Sequence, residues 1–185
     1  GTDVHVVLTG IGKVNAATAL ERMCARHKVT SIFNVGFAGA TPPYRTGDVV
    51  IANDARYHDF DLSVFGYAKG QVPGFPETYK SDPDLVKNAM TKMPDASTGT
   101  LLTGDSFMTE TPGGAHLADM EGAAIAQTAH RHGVPLLMVK VVSDVIGSED
   151  HESSYEHFEK HDQGQSVRRV VGALFHDMKG KDGHT

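Results

Sequence analysis

The chain has a single cysteine, Cys24, among 185 residues, so it cannot close an internal disulfide, which suits a reducing cytoplasm. It also lacks a long hydrophobic run. Apolar stretches such as residues 135–142 fall far short of the roughly 20 residues that cross a bilayer as a helix. No charged segment followed by an apolar one opens the chain in the manner of a signal peptide. Basic runs are missing too, and the formal net charge is −6, which makes nucleic acid or an anionic membrane a poor partner. What is left, 39% hydrophobic and 22% charged residues, is the balance of an ordinary globular protein, long enough to bury one core as a single domain.

Hydrophobic patterning then divides the chain. Val4-His5-Val6-Val7-Leu8 reads as a buried strand ending in a Gly10-Ile11-Gly12 turn. Residues 13–27 follow with apolar positions at helical spacing. A second strand is expected over residues 29–35, running into Gly36-Phe37-Ala38-Gly39, and a third over residues 49–51 after the turn residues Gly47-Asp48. Residues 57–80, rich in glycine, proline and aromatics, read as a long structured loop, a feature that is usually functional in a compact domain. A helix is expected over residues 82–90, with Asp82 as N-cap and Pro83 in the first position. A strand at residues 99–102, a small-residue helix at 120–132 stopped by Gly133, and a buried strand at 136–142 come next. A last amphipathic helix is expected over residues 165–178, ahead of a frayed tail at 179–185. Strands alternating with helices argue an α/β fold. Gly10, Gly36, Gly104 and Asp144 are expected at the C-terminal ends of strands, where open α/β sheets bind ligands.

Five segments, in order, carry a resemblance: Gly10-Ile11-Gly12-Lys13-Val14; Ala55-Arg56-Tyr57-His58-Asp59 continuing through Phe65-Gly66-Tyr67 to Gly70-Gln71-Val72-Pro73-Gly74; Gly104-Asp105-Ser106-Phe107; Asp119-Met120-Glu121-Gly122; and Ser143-Asp144-Val145. Together they resemble the nucleoside phosphorylase/nucleosidase superfamily, and within it the 5'-methylthioadenosine/S-adenosylhomocysteine nucleosidases. The resemblance implies a three-layer α/β/α sandwich on a mostly parallel, mixed central sheet. It further implies hydrolysis of an N-glycosidic bond to adenine and a thioribose product, a homodimer, a small-molecule nucleoside substrate, and no cofactor.

Each implied site residue has a chemical rationale. Losing a purine leaves negative charge on the base, so a carboxylic acid held protonated at a buried strand end can protonate N7. The resemblance gives that part to Asp144, although by spacing alone Ser143-Asp144 reads more readily as a helix cap. Glu121 can accept hydrogen bonds from both ribose hydroxyls, and a carboxylate is favoured near a helix N-terminus. Met120 is expected beside the sugar. Phe107 can stack on adenine while the backbone of Met108 reads its edge. Ile11 and Ala38 complete the implied substrate contacts, and Phe65 and Pro73 are expected to reach into a partner's 5'-alkylthio pocket.

Several features depart from the family pattern. The chain is expected to be one domain over residues 1–185, beginning near the family's second strand and thus lacking the N-terminal strand and helix that carry its water-activating glutamate. Residues 109–119 are shorter than usual, losing part of a helix that shields the base. Phe37 stands where the family commonly has a small hydroxyl residue, removing a hydrogen bond to the attacking water or narrowing the space around it, and Lys140 stands where arginine is frequent.

Two rival functions are weighed. A phosphorylase of the same fold must converge several donors on a phosphate dianion, yet Val35 occupies the position where those enzymes usually place arginine. A catalytically impaired nucleoside-binding protein is the second. The histidines at 130, 132, 157 and 161 lack a carboxylate or thiol partner in a metal-binding spacing and read as solvated helix faces.

Overall fold

A computed structural model describes residues 3–110, 113–148 and 151–176. Its elements run α1 (Lys13–Arg26), β1 (Ile32–Ala40), β2 (Val49–Tyr57), β3 (Tyr79–Lys80), α2 (Pro83–Lys92), β4 (Ser97–Thr103), β5 (His116–Asp119), α3 (Gly122–His132), β6 (Leu136–Val145), α4 (His151–Asp162) and α5 (Gln165–Phe175).

The six strands lie in the order β3-β2-β4-β5-β1-β6, and β2 also pairs with β6. Five strands therefore close into a ring from which β3 projects. This corrects the expected three-layer sandwich: the sheet is a closed, barrel-like one rather than an open layer. Its pairings are mixed, as expected. β1–β6, β2–β4 and β4–β5 are parallel, while β1–β5, β2–β3 and β2–β6 are antiparallel. The two longest ladders, β1–β6 and β2–β4, are parallel. A strand paired on both edges and covered on both faces should read as a continuous apolar run, and β6 does so, with every residue from Leu136 to Asp144 buried.

One hydrophobic cluster joins Ala38, Val50, Leu101, Met138 and Val142 to Ala16 of α1 and to the alanine-rich face of α3. A second joins Leu137, Val139 and Val141 to α2 and α5. The alternation along β6 explains the division, because successive side chains leave a strand on opposite faces. Asp82 caps α2 as expected, accepting the amides of Asp84 and Leu85.

Other expectations change. Residues 4–8 form no strand; Val4, Val6, Val7 and Leu8 are exposed. A strand needs a ladder, and the β2–β6 closure leaves no open edge within the ring. Gly36 is mid-strand, not terminal, because β1 begins at Ile32 and continues to Ala40. β5 and α4 have no counterpart among the expected elements. The 57–80 loop holds, apart from a single 3₁₀ turn at Ser63–Phe65 and the two residues of β3. Its return to the sheet depends on Gly70, whose φ is +88° and where a Cβ would lie 2.2 Å from the Tyr57 carbonyl oxygen. Any other residue would push the loop off the end of β2. The end of the expected last helix at 178, and the tail at 179–185, lie outside the described residues.

Candidate active site

Asp144 sits near the C-terminal end of β6 and is 1% exposed. The β1–β6 register pairs Ala38 with Val142 and Gly39 with Asp144, so Ser143 is the extra residue of a bulge. Bulges re-aim side chains and are frequent beside active sites. Here the bulge brings Asp144 onto the face of β1 that Gly39 leaves bare, and a Cβ on Gly39 would stand 2.7 Å from Asp144 Oδ2. The Ser143 hydroxyl donates to Asp144 Oδ1 at 2.5 Å.

Gly39 also pairs with Ala118 of β5. Asp144, Gly39 and Ala118 thus form one row across three strands, and Glu121 follows three residues after Ala118. Glu121 is the half-buried N-cap residue of α3, and its Oε1 accepts the Gly12 amide at 2.8 Å. Burial pushes its carboxyl above the ordinary glutamate value. Asp119 adds to that rise, and the Gly12 hydrogen bond and the Lys140 charge oppose it.

Beneath Glu121 lies a buried network that sequence reasoning missed. Lys140 Nζ stands 2.8 Å from Asp119 Oδ2, with both side chains almost fully buried. Asp119 Oδ2 also accepts the Gly122 amide at 2.8 Å, and its Oδ1 accepts the Thr103 hydroxyl at 2.5 Å. Thr103 Oγ1 in turn accepts the Ala123 amide at 2.9 Å. Two amides that a helix N-terminus leaves without intrahelical partners are therefore satisfied from the ends of β4 and β5. A lone lysine inside the apolar run of residues 136–142 was the available signal, since lysine is almost never buried unless paired.

The remaining expected residues divide into two groups. Ala38 is buried in β1, and Met120 and Met108 are half-buried. Phe107 is 45% exposed just past the end of β4, edge-on to Tyr155 of α4 with ring centroids 5.9 Å apart. Ile11 and Phe65 are 71% and 74% exposed, and Pro73 is exposed. Phe37 turns to the opposite side from Lys140 and packs edge-on against Phe158 of α4 at 5.4 Å. The space over Gly36 is occupied instead by Lys140, whose Nζ would be 3.6 Å from a Cβ placed there. A cavity of about 540 Å³ lies between α1 and α3, but neither Asp144 nor Glu121 nor Phe107 lines it. Among the described residues no group of three His, Cys, Asp or Glu is placed to hold a metal ion, and no helix is long and apolar enough to cross a membrane.

A closed mixed sheet thus carries a buried acid on a bulge at one strand end and a half-buried glutamate at the start of α3. Residues 1–177 match the sequence profile of the Phosphorylase superfamily, and the chain belongs to it. The 5'-methylthioadenosine/S-adenosylhomocysteine nucleosidase of Bacillus subtilis (strain 168) is 36% identical over 168 residues, 83% of this chain and 73% of the relative. That of Geobacillus sp. (strain WCH70) is 39% identical over 174 residues, 85% of this chain and 74% of the relative. Within the superfamily this chain is a member of the 5'-methylthioadenosine/S-adenosylhomocysteine nucleosidase family. Solved structures agree. The Neisseria meningitidis nucleosidase in complex with methylthio-immucillin-A superposes with a TM-score of 0.83 at 31% identity, over 92% of this chain and 79% of that one. The Streptococcus pyogenes S-adenosylhomocysteine nucleosidase in complex with 5-methylthiotubericidin gives 0.84 at 31%, over 93% and 78%. The futalosine hydrolase of Helicobacter pylori strain 26695 also reaches 0.84, over 91% of this chain and 77% of that one, but at 22% identity that likeness speaks to the fold alone.

Proposed function

We propose that this protein hydrolyses the N-glycosidic bond of 5'-methylthioadenosine and S-adenosylhomocysteine, releasing adenine and the thioribose product. The observation that carries the reading is Asp144: a carboxyl group 1% exposed, on a bulge at the end of β6, given room by Gly39, in a chain of the nucleosidase family. The task assigned to Asp144 is to deliver a proton to N7 as the bond to the base breaks.

Glu121 anchors the sugar. One of its oxygens is held by the Gly12 amide, and its carboxylate accepts the ribose hydroxyls, with Met120 alongside. Phe107 stacks on adenine, the Met108 backbone reads its edge, and Ile11 and Ala38 close the site. Phe65 and Pro73 serve a second copy of the chain in a homodimer. An exposed phenylalanine on a glycine- and proline-rich loop supports that assignment, because a subunit-crossing side chain must leave its own core bare. The single half-buried thiol, Cys24, fits a cytoplasmic setting.

The test is adenine release from methylthioadenosine, followed with and without inorganic phosphate. Hydrolysis predicts a rate indifferent to phosphate, and Asp144→Asn should lower it by roughly 10²–10⁴-fold, the usual contribution of general acid catalysis. Turnover that requires phosphate would make the protein a phosphorylase. Tight adenine binding without turnover would make it a binding protein.

A further inference from the structure

Lys13 lies outside the residues assigned to the reaction, yet it is the point at which three distant segments meet. Its backbone amide donates to Asp105 Oδ1 at 2.8 Å. Its Nζ donates to both oxygens of Asp59, at 2.9 and 2.8 Å, and stands 3.6 Å from Asp105 Oδ2. The Asp105 amide closes the figure by donating to Asp59 Oδ2 at 2.8 Å. One residue earlier, the Gly12 amide holds Glu121, and Lys13 Nζ lies 5.4 Å from the centroid of the Tyr57 ring.

From these contacts we infer that Lys13 is a positioning residue: it fastens the Gly12 turn, the root of the 57–80 loop and the Gly104–Met108 turn into one unit, so that the sugar-holding and base-stacking residues keep their spacing. The inference rests on the nucleosidase reading above and adds to it a residue that governs affinity for the substrate. Each tied segment leads to a different assigned contact. Gly12 leads to Glu121, Asp105 stands two residues before Phe107, and Asp59 stands at the start of the loop bearing Phe65 and Pro73.

The physical reason is charge. Asp59 and Asp105 are hydrogen-bonded neighbours, and Lys13 is the cation that faces both. The amides of Gly12 and Lys13 open α1, the positive end of its dipole, and both are given to carboxylates. Without the ammonium group, two like charges are left side by side with only an amide between them. The pair is partly exposed, with side chains about a quarter accessible, so its loss is expected to shift segments rather than unfold the domain. Small displacements of substrate-holding groups are costly even when they lie away from the reacting atoms.

The test compares wild type with Lys13→Met, Lys13→Arg, Asp59→Asn and the Lys13→Met/Asp59→Asn double variant. For Lys13→Met, KM for methylthioadenosine is expected to rise about tenfold while kcat changes less than about threefold, the pattern of lost binding rather than lost chemistry. Lys13→Arg should restore most of the affinity, and the double variant should be no worse than the worse single one. Amide hydrogen exchange of the ligand-free proteins supplies a readout independent of turnover. Residues 57–75 and 104–108 should exchange faster in Lys13→Met, while β6 stays as protected as in wild type. Unchanged exchange in both segments would overturn the proposal, as would parallel losses of kcat, affinity and melting temperature without rescue by arginine. A wild-type protein that releases no adenine from methylthioadenosine would instead sink the nucleosidase reading, and the exchange result would still decide whether Lys13 joins these segments.

Discussion

Asp144 and Gly39 face one another across the β1–β6 bulge, so close that a Cβ on Gly39 would stand 2.7 Å from Asp144 Oδ2 and 3.3 Å from Ile146 Cγ1. Gly39→Ala therefore forces the carboxyl group off its position, because its neighbours are buried strand residues with little freedom to yield. The expected result is a drop in kcat of about a hundredfold, the scale of misplacing a catalytic group by 1 Å. Because overpacking a strand also destabilises, by about 1–3 kcal/mol, thermal unfolding should be followed in parallel. A fully active Gly39→Ala protein would remove Asp144 from the reaction.

Glu121 gives the site its expected pH dependence. Its carboxyl is pushed upward by burial and by Asp119, against the Gly12 hydrogen bond and the Lys140 charge, so its charged form is lost while pH is still above the ordinary glutamate value of about 4.3. The charged form is the one that accepts ribose hydroxyls. KM for methylthioadenosine is thus expected to climb as pH falls through the raised value, while adenine, which has no ribose, should show no such rise in its inhibition constant. Stability runs the opposite way. A carboxyl group raised in the folded state favours folding below its unfolded value, and that contribution fades as pH rises through the folded one. Asp59 has the reverse sign: burial raises its carboxyl, but the Lys13 hydrogen bond, the Asp105 amide and the Lys13 charge together bring it below the ordinary value. Its contribution is present at neutral pH and is lost in acid. Glu121→Gln should flatten the KM profile and weaken the nucleoside by roughly tenfold, the scale of a charge-assisted hydrogen bond.

Much of this arrangement was legible in the sequence where periodicity or turn chemistry was strong. The Asp82 cap, the alanine face of α3 and the apolar run of β6 each left a local signature. β5 left almost none: four residues beginning at His116 are too short for alternation to register. α4 is dominated by charged and polar residues and lacked a clear apolar stripe. Residues 4–8 misled for the opposite reason, since an apolar run states that a strand can form but not that a partner edge is free. Sheet closure is likewise a property of strand pairing and leaves no local pattern. At the site, Asp144 and Glu121 stood out through their motif context and not through spacing. The Thr103–Asp119–Lys140 network joins two strand ends and the middle of β6, 16 to 37 residues apart in sequence, and only Lys140, a charge within an apolar run, marked its place.

That network yields a stability prediction. Lys140→Met fills similar space but leaves Asp119 charged and buried, with the Thr103 hydroxyl and the Gly122 amide as its remaining partners. Breaking one side of a buried ion pair costs about 3–5 kcal/mol. Adding Asp119→Asn removes the stranded charge and keeps one carbonyl acceptor, so the double variant should recover part of the loss. Urea unfolding of the two proteins measures the difference. Equal stability of the single and double variants would show that the stranded Asp119 carboxylate is not the source of the loss.

The remaining prediction concerns the homodimer. Phe65 is 74% exposed in the 3₁₀ turn Ser63–Phe65, next to Val64 at 83%, and neither is part of either hydrophobic cluster. If Phe65 lines the 5'-alkylthio pocket of a second copy, trimming it must weaken a thio-substituted nucleoside and spare adenine, which has no 5' substituent to bury. Burying a side chain of this size is worth about 1.5–3 kcal/mol, a loss of roughly tenfold to a hundredfold in affinity for methylthioadenosine in Phe65→Ala. Because Phe65 is bare in the single chain, its truncation should leave the melting temperature of the subunit fold nearly unchanged. Isothermal titration with each ligand, at concentrations where sedimentation confirms a dimer, separates the cases. Equal weakening of both ligands, or a monomer that binds methylthioadenosine as tightly as wild type, would retire the cross-subunit role while leaving Asp144 and Glu121 where they are.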